Sequence, residues 1–100
     1  MLKAIGNFVQ RHRQKLSEAR AYAAAIRAAR GELLERLRRE EAPLDDGQVV
    51  LLINELVQRH VAPLVATWAD HPEPQQALTA SRTVLARAAR EMKREREKAP

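Results

Sequence analysis

The sequence predicts an all-α protein made of a long N-terminal helix, a bent central helix and a C-terminal helix. No segment alternates apolar and polar residues with the period of a β-strand. The strong helix formers Ala, Leu, Arg, Glu and Gln dominate the composition. Most of the three glycines and five prolines fall where helices should end. A chain of 100 residues fits one domain, spanning 1–100.

The first helix is predicted over 1–41, as a basic amphipathic segment that ends before Pro43. Its register continues through Gly31 without a phase shift, which favours one helix over two. Gly31 still costs about 1 kcal/mol in a helix interior, so a kink would fall there, beside Arg30. Spacings of three and four residues define a heptad seam typical of a coiled coil: Leu2, Ile5, Val9, His12, Leu16, Ala19, Ala23, Ile26, Arg30, Leu33 and Leu37.

The central helix is predicted over 45–70 and is apolar on almost every side. Asp45 followed by Gln48 resembles a capping box, which predicts the helix start. Between Val49 and Trp68, eleven of twenty residues are large and apolar, a composition typical of a buried helix. Pro63 removes a backbone donor and clashes with the preceding turn, so the helix should kink or restart near Val61.

The C-terminal helix is predicted over 73–98. Asp70 and Glu73 form a second capping-box match, and Pro72 suits a helix start. The apolar seam of this helix is thinner than that of the first helix: Leu78, Ser81, Leu85, Ala88 and Met92.

Three such helices leave apolar surface uncovered. The first helix is longer than the central one and should overhang it, and the central helix cannot be covered on all sides by two narrow seams. A second copy of the chain would cover both, so we expect a dimeric helical bundle, a homodimer around paired helices. The alternative is a compact monomeric three-helix bundle in which the first helix bends.

No residue pattern indicates catalysis, a cofactor or a metal. The chain has no cysteine, and His12, His60 and His71 show no ligand spacing; His12 could instead set the seam register. Helix ends explain the acid pairs Glu40–Glu41 and Asp45–Asp46. The hydroxyls lack a nucleophile motif: Ser17, Thr67, Thr79, Ser81 and Thr83. We therefore expect a non-enzymatic protein.

Charge is divided between basic ends and an acidic middle. The net charge is +5, with Arg13, Arg20 and Arg27 forming a stripe at seven-residue spacing beside the seam. This stripe could contact a phosphate backbone, a partner's carboxylates or solvent alone. The three aromatic residues do not interleave with the arginines, which argues against base stacking. Nucleic-acid binding through phosphates is the alternative function.

The leading expectation is a small helical protein–protein interaction module: an adaptor, an inhibitor or an accessory subunit. Its partner would be another protein or a second copy. A membrane-surface helix is a further reading of residues 1–15. No leader peptide or transmembrane segment is predicted, so we expect a cytoplasmic protein, and the Ala and Arg content suggests a GC-rich bacterial or phage genome. The predicted partner-binding residues are Leu2, Ile5, Phe8, Val9 and Leu16.

Overall fold

The structure is a computed structural model that describes residues 2–68 and 74–98, with side chains for residues 13, 15–68 and 74–98. It is all-α, as predicted. Four helices follow one another: α1 (Leu2–Arg39), α2 (Asp46–His60), α3 (Ala62–Val65) and α4 (Pro74–Lys98). The described residues contain no strand.

Helix α1 is one continuous helix of 38 residues, about 57 Å long at 1.5 Å per residue. It runs through Gly31, so the two sides of that glycine belong to one element. Gly31 is exposed and has no positive φ, and a Cβ added there would meet nothing within 4 Å. The glycine is therefore neither a cap nor a point of close approach.

Helix α2 begins at the predicted capping box. The Asp45 side chain accepts a hydrogen bond from the Gln48 backbone N–H at 2.8 Å, and the Gln48 side chain accepts one from the Asp45 N–H at 3.0 Å. At its other end, α2 stops at His60 and α3 starts at Ala62, with Pro63 in its first turn. The second capping-box match, Asp70 with Glu73, lies outside the described residues.

The helices form an up-down-up bundle. Tyr22 in α1 meets Ala77 near the start of α4, and Leu37 meets Arg96 near its end, so α1 and α4 run parallel. Arg59, near the end of α2, pairs with Glu32 of α1, so α2 runs antiparallel to both. The core lies where the three long helices meet, and its largest fully buried side chains are Leu33, Leu56, Leu85, Val57, Val61 and Ser81.

The buried face of α1 matches the predicted heptad seam only in part. Ile26, Leu33 and Leu37 of the seam lie in the core or pack against it. Ala19, Ala23 and Arg30 are exposed, and Ala29 and Tyr22 contribute to the core instead. The core-facing positions fit a seven-residue repeat, as in Tyr22 with Ala29, and also an eleven-residue repeat, as in Tyr22 with Leu33.

The seam predicted for α4 is the buried face of that helix. Leu78, Ser81, Leu85 and Ala88 are buried, and Met92 packs against the core. Ser81 is a fully buried polar residue on this face. Its hydroxyl donates to the Ala77 carbonyl at 2.8 Å, so the desolvated group keeps a hydrogen bond.

Tyr22 fixes α1 against the start of α4. Its hydroxyl donates to the Ala77 carbonyl at 2.8 Å and lies 3.0 Å from the Ser81 Oγ. Its ring packs on Trp68, with centroids 5.6 Å apart and a tilt of 57°, within the range of favourable aromatic pairs. These contacts place Tyr22 of α1 level with the first turn of α4.

Candidate functional site

The first sixteen residues of α1, 2–17, form a segment that we call the N-terminal extension. Tyr22 is level with Ala77, only three residues after α4 starts at Pro74, so this segment projects beyond that end of the bundle. Lys15 is eleven residues, or about three helical turns, before Ile26, so both lie on the same side of α1. Ile26 packs against the core, whereas Lys15 is exposed because no other helix covers that side of the extension. The molecule accordingly measures 66 × 23 × 17 Å.

Leu16 is the large apolar residue of the extension whose side chain is described, and it is 46% exposed. At 100° per residue, it lies about 100° around the helix from the centre of the buried face of α1. It therefore lies to one side of the face that packs on the other helices. The remaining predicted partner-binding side chains, Leu2, Ile5, Phe8 and Val9, lie outside the described ones, as does His12.

The basic stripe predicted on α1 is on the surface. Arg13, Arg20 and Arg27 are all exposed, and none forms an ion pair with a described residue. Their spacing places successive guanidinium groups about 10 Å apart along the helix. The stripe borders Leu16, so an apolar position and uncompensated positive charge lie side by side on this helix.

A second feature is a groove of about 280 Å³ at the opposite end of the bundle, which we call the α2/α4 groove. It lies between the first half of α2 and the second half of α4, beside the α1–α2 loop. Ile53 is nearly fully buried at its base, whereas Val50 is 55% exposed. The apolar lining includes Leu37, Leu44, Val49, Val50, Ile53 and Met92.

Four charged residues border the α2/α4 groove: Asp46 from α2 and Arg90, Lys93 and Arg96 from α4. Arg96 donates to the Leu37 carbonyl at 2.7 Å, so its guanidinium group covers a carbonyl in the last turn of α1. Arg90 and Lys93 form no ion pair with any described residue. The α4 side of the groove therefore carries two uncompensated positive charges above an apolar floor.

The polar residues of α2 join it to α1. Arg59 pairs with Glu32 at 2.6 Å and with Glu55 at 2.7 Å, and His60 Nε2 lies 3.4 Å from a Glu32 oxygen. Glu32 is four residues before Arg36 on its own helix, but its carboxylate pairs with Arg59 of α2 instead. Glu35 pairs with Arg39 within α1. These contacts explain Glu55 and Arg59 as structural residues.

Local hydrogen bonds account for three of the five hydroxyls considered as nucleophiles. The side chains of Thr67, Ser81 and Thr83 donate to carbonyls three or four residues earlier. The carboxylate of Asp45 caps α2. Among the described residues, no three His, Asp or Glu side chains come together as a metal site would require; His71 lies outside that part of the chain.

Comparison with protein-family models, with curated proteins and with solved structures gives no significant match. The assignment of a function therefore rests on the extension and the α2/α4 groove alone. Within the described part of the chain, no helix is both long enough and apolar enough to cross a membrane.

The sequence identified the extension but not the α2/α4 groove. The sequence predicts that α1 is longer than α2, and the end of a longer helix must extend beyond its shorter neighbour. The groove requires knowing which faces of α2 and α4 meet, and no local pattern contains that information. One signal was present: Val50 lies one turn before Ile53 and widens the apolar face of α2, and the structure leaves it 55% exposed.

Proposed function

We propose that the protein is a small non-enzymatic interaction module, an adaptor, an inhibitor or an accessory subunit of an assembly, that pairs through its N-terminal extension. The observation that carries this proposal is the projection of α1 beyond the bundle with Leu16 exposed on it. An isolated helix of this length is marginal in water and gains stability by packing an apolar face.

The proposed occupant of the extension is a second copy of the same segment. Leu2, Ile5, Val9 and Leu16 share one apolar face in the sequence pattern, and Leu16 is 46% exposed. Two identical faces satisfy the self-complementarity that a two-fold dimer requires. The paired segment is only about two heptads long, so we expect weak pairing that depends on protein concentration.

Salt should strengthen this pairing. The extension contains Lys3, Arg11, Arg13 and Lys15, and no acid precedes Glu18. Two copies therefore repel each other, and the repulsion is reduced as the Debye length falls from about 8 Å at 0.15 M salt to about 3 Å at 1 M. Burial of apolar side chains is not weakened in this way.

The test is size-exclusion chromatography with light scattering on nuclease-treated protein. We expect the mass to rise toward twice the 11.3 kDa of the chain as protein and salt concentrations increase. Leu16→Ser should remain monomeric. Leu51→Ser is the matched control, since Leu51 is 71% exposed on α2, and it should pair like the wild type. A wild-type mass that stays at 11.3 kDa under all conditions, or equal pairing by both variants, would refute the proposal.

A second candidate function is binding to a nucleic-acid backbone, which the exposure and lack of ion pairs of Arg13, Arg20 and Arg27 favour. Three phosphate contacts predict a slope of log affinity against log salt of about −2.7. This dependence is opposite in sign to that of the dimer. Replacing the three arginines with Glu should abolish binding to a duplex DNA probe, and binding that survives this change would rule out the stripe.

A further inference from the structure

The α2/α4 groove lies at the end of the bundle away from the extension, so an inference about it does not depend on the proposed dimer. Its floor is apolar, with Ile53 at 4% exposure and Leu37 at 8%. It remains open to solvent along Val50, which is 55% exposed. A buried floor with an exposed apolar edge is the form of a site that is completed by another apolar surface.

The form of the groove indicates the kind of occupant. It is an open groove of about 280 Å³ between two helices, with space for a few apolar side chains. Two antiparallel helices, α2 and α4, form its walls, and a third helix laid along them would place side chains at i, i+3 or i+4, and i+7 into the floor.

The charged residues at the rim of the groove indicate which residues a bound helix should carry beside its apolar side chains. Arg90 and Lys93 are three residues apart on α4, both exposed and without an ion pair among the described residues. Most cations of the described residues are likewise unpaired, and Arg90 and Lys93 differ from the others in their place at the rim of the groove. Unpaired cations beside an apolar floor favour carboxylates on a partner. Asp46, on the α2 side, favours a basic or neutral residue there.

We propose that the α2/α4 groove binds an amphipathic helix of another protein, one that carries acidic residues beside its apolar anchors on the side facing α4. The N-terminal extension of a second copy does not fit this description. It contains Lys3, Arg11, Arg13 and Lys15 without an acid, so it would bring like charge to Arg90 and Lys93. The groove and the extension are therefore separate surfaces with different partners, as an adaptor requires.

Two synthetic helical peptides test the proposal. Both carry Leu at i, i+3 and i+7 on an alanine-rich background, one with Glu and the other with Lys at the flanking positions. Fluorescence anisotropy of the labelled peptides should show that the Glu peptide binds at least about tenfold more tightly than the Lys peptide. The double variant Arg90→Glu/Lys93→Glu should reverse this preference. Equal binding of both peptides to the wild-type protein would overturn the proposal.

Three variants locate the binding. Arg20→Glu/Arg27→Glu makes the same change of charge on α1 and should leave the preference for the Glu peptide intact. Val50→Ser should weaken that peptide without changing the helical circular dichroism signal. Leu16→Ser should bind the Glu peptide like the wild type. Loss of dimerisation can therefore be distinguished from loss of peptide binding in the groove. If the α1 double variant loses the Glu peptide and the α4 double variant retains it, the site is not the groove.

Discussion

Replacing Gly31 with alanine should stabilise the protein. Gly31 lies inside α1 with a helical backbone, is exposed, and leaves at least 4 Å of free space around an added Cβ. Alanine in an unstrained helix interior is favoured over glycine by about 0.5–1 kcal/mol, because glycine loses more backbone freedom on folding. No contact is lost, so the full amount should appear in the free energy of unfolding.

The corresponding rise in melting temperature is roughly 2–8 °C, since 1 kcal/mol shifts a domain of this size by about 4–8 °C. The assay is thermal and urea denaturation followed by circular dichroism at 222 nm. Gly47→Ala is the matched control. Its Cβ would lie 3.3 Å from Asp45 Oδ1, the atom that caps α2, so its gain should be smaller or absent.

A loss of stability in Gly31→Ala would refute the reasoning. It would mean that α1 departs from a regular helix at this position, as the sequence alone had left open. A larger gain in Gly47→Ala than in Gly31→Ala would equally contradict the assignment of free space at one glycine and a crowded cap at the other.

Three further changes test the packing. Tyr22→Phe keeps the ring but removes the hydroxyl that donates to the Ala77 carbonyl, and it should cost about 0.5–1.5 kcal/mol in urea denaturation; because Ser81 donates to the same carbonyl, Ser81→Ala should change that cost, and full additivity would show that the two hydroxyls act independently. Asp45→Ala should lower stability by about 0.5–2 kcal/mol through loss of the cap, more than Asp46→Ala does in the same assay. Arg59→Ala should cost less than about 1 kcal/mol, because its exposed ion pairs are screened by solvent, and a larger cost that high salt does not reduce would show that the pairs are structurally essential.

Local signals in the sequence predicted the element ends well. The capping box at Asp45 and Gln48 involves residues three apart, and such a pair specifies its own geometry wherever a helix begins. The thin seam of α4 was also correct, because Leu78 and Leu85 are the two leucines of the helix and lie seven residues apart on one face. Overhang of α1 followed from its length.

The buried face of α1 was predicted only in part, for a physical reason. Its many alanines make several faces about equally apolar, so Ala19, Ala23 and Ala29 do not show which face is buried. Tyr22, which was not on the predicted seam, makes hydroxyl contacts with α4. Its contact with Ala77 joins residues 55 positions apart in the chain, and no short-range pattern could show it.

The α2/α4 groove was missed for a similar reason. Its rim joins Asp46 with Arg90 and Lys93, and the sequence offers no reason to place these residues together until α2 and α4 are known to run antiparallel. The basic stripe on α1 was found because its members share one helix. A feature formed by residues of one helix, such as the basic stripe, could be predicted from the sequence. A feature formed between two helices, such as the groove, could not.

The central claim is that the N-terminal extension pairs with a second copy, and a distance measurement between copies tests it most directly. The chain has no cysteine, so Ser17→Cys introduces a unique thiol at an exposed position on the extension for a nitroxide spin label. Double electron–electron resonance in high salt should give a discrete distance between two labels, and it should disappear when Leu16→Ser is added. A background decay without a defined distance, at concentrations where the protein is fully folded, would contradict the claim.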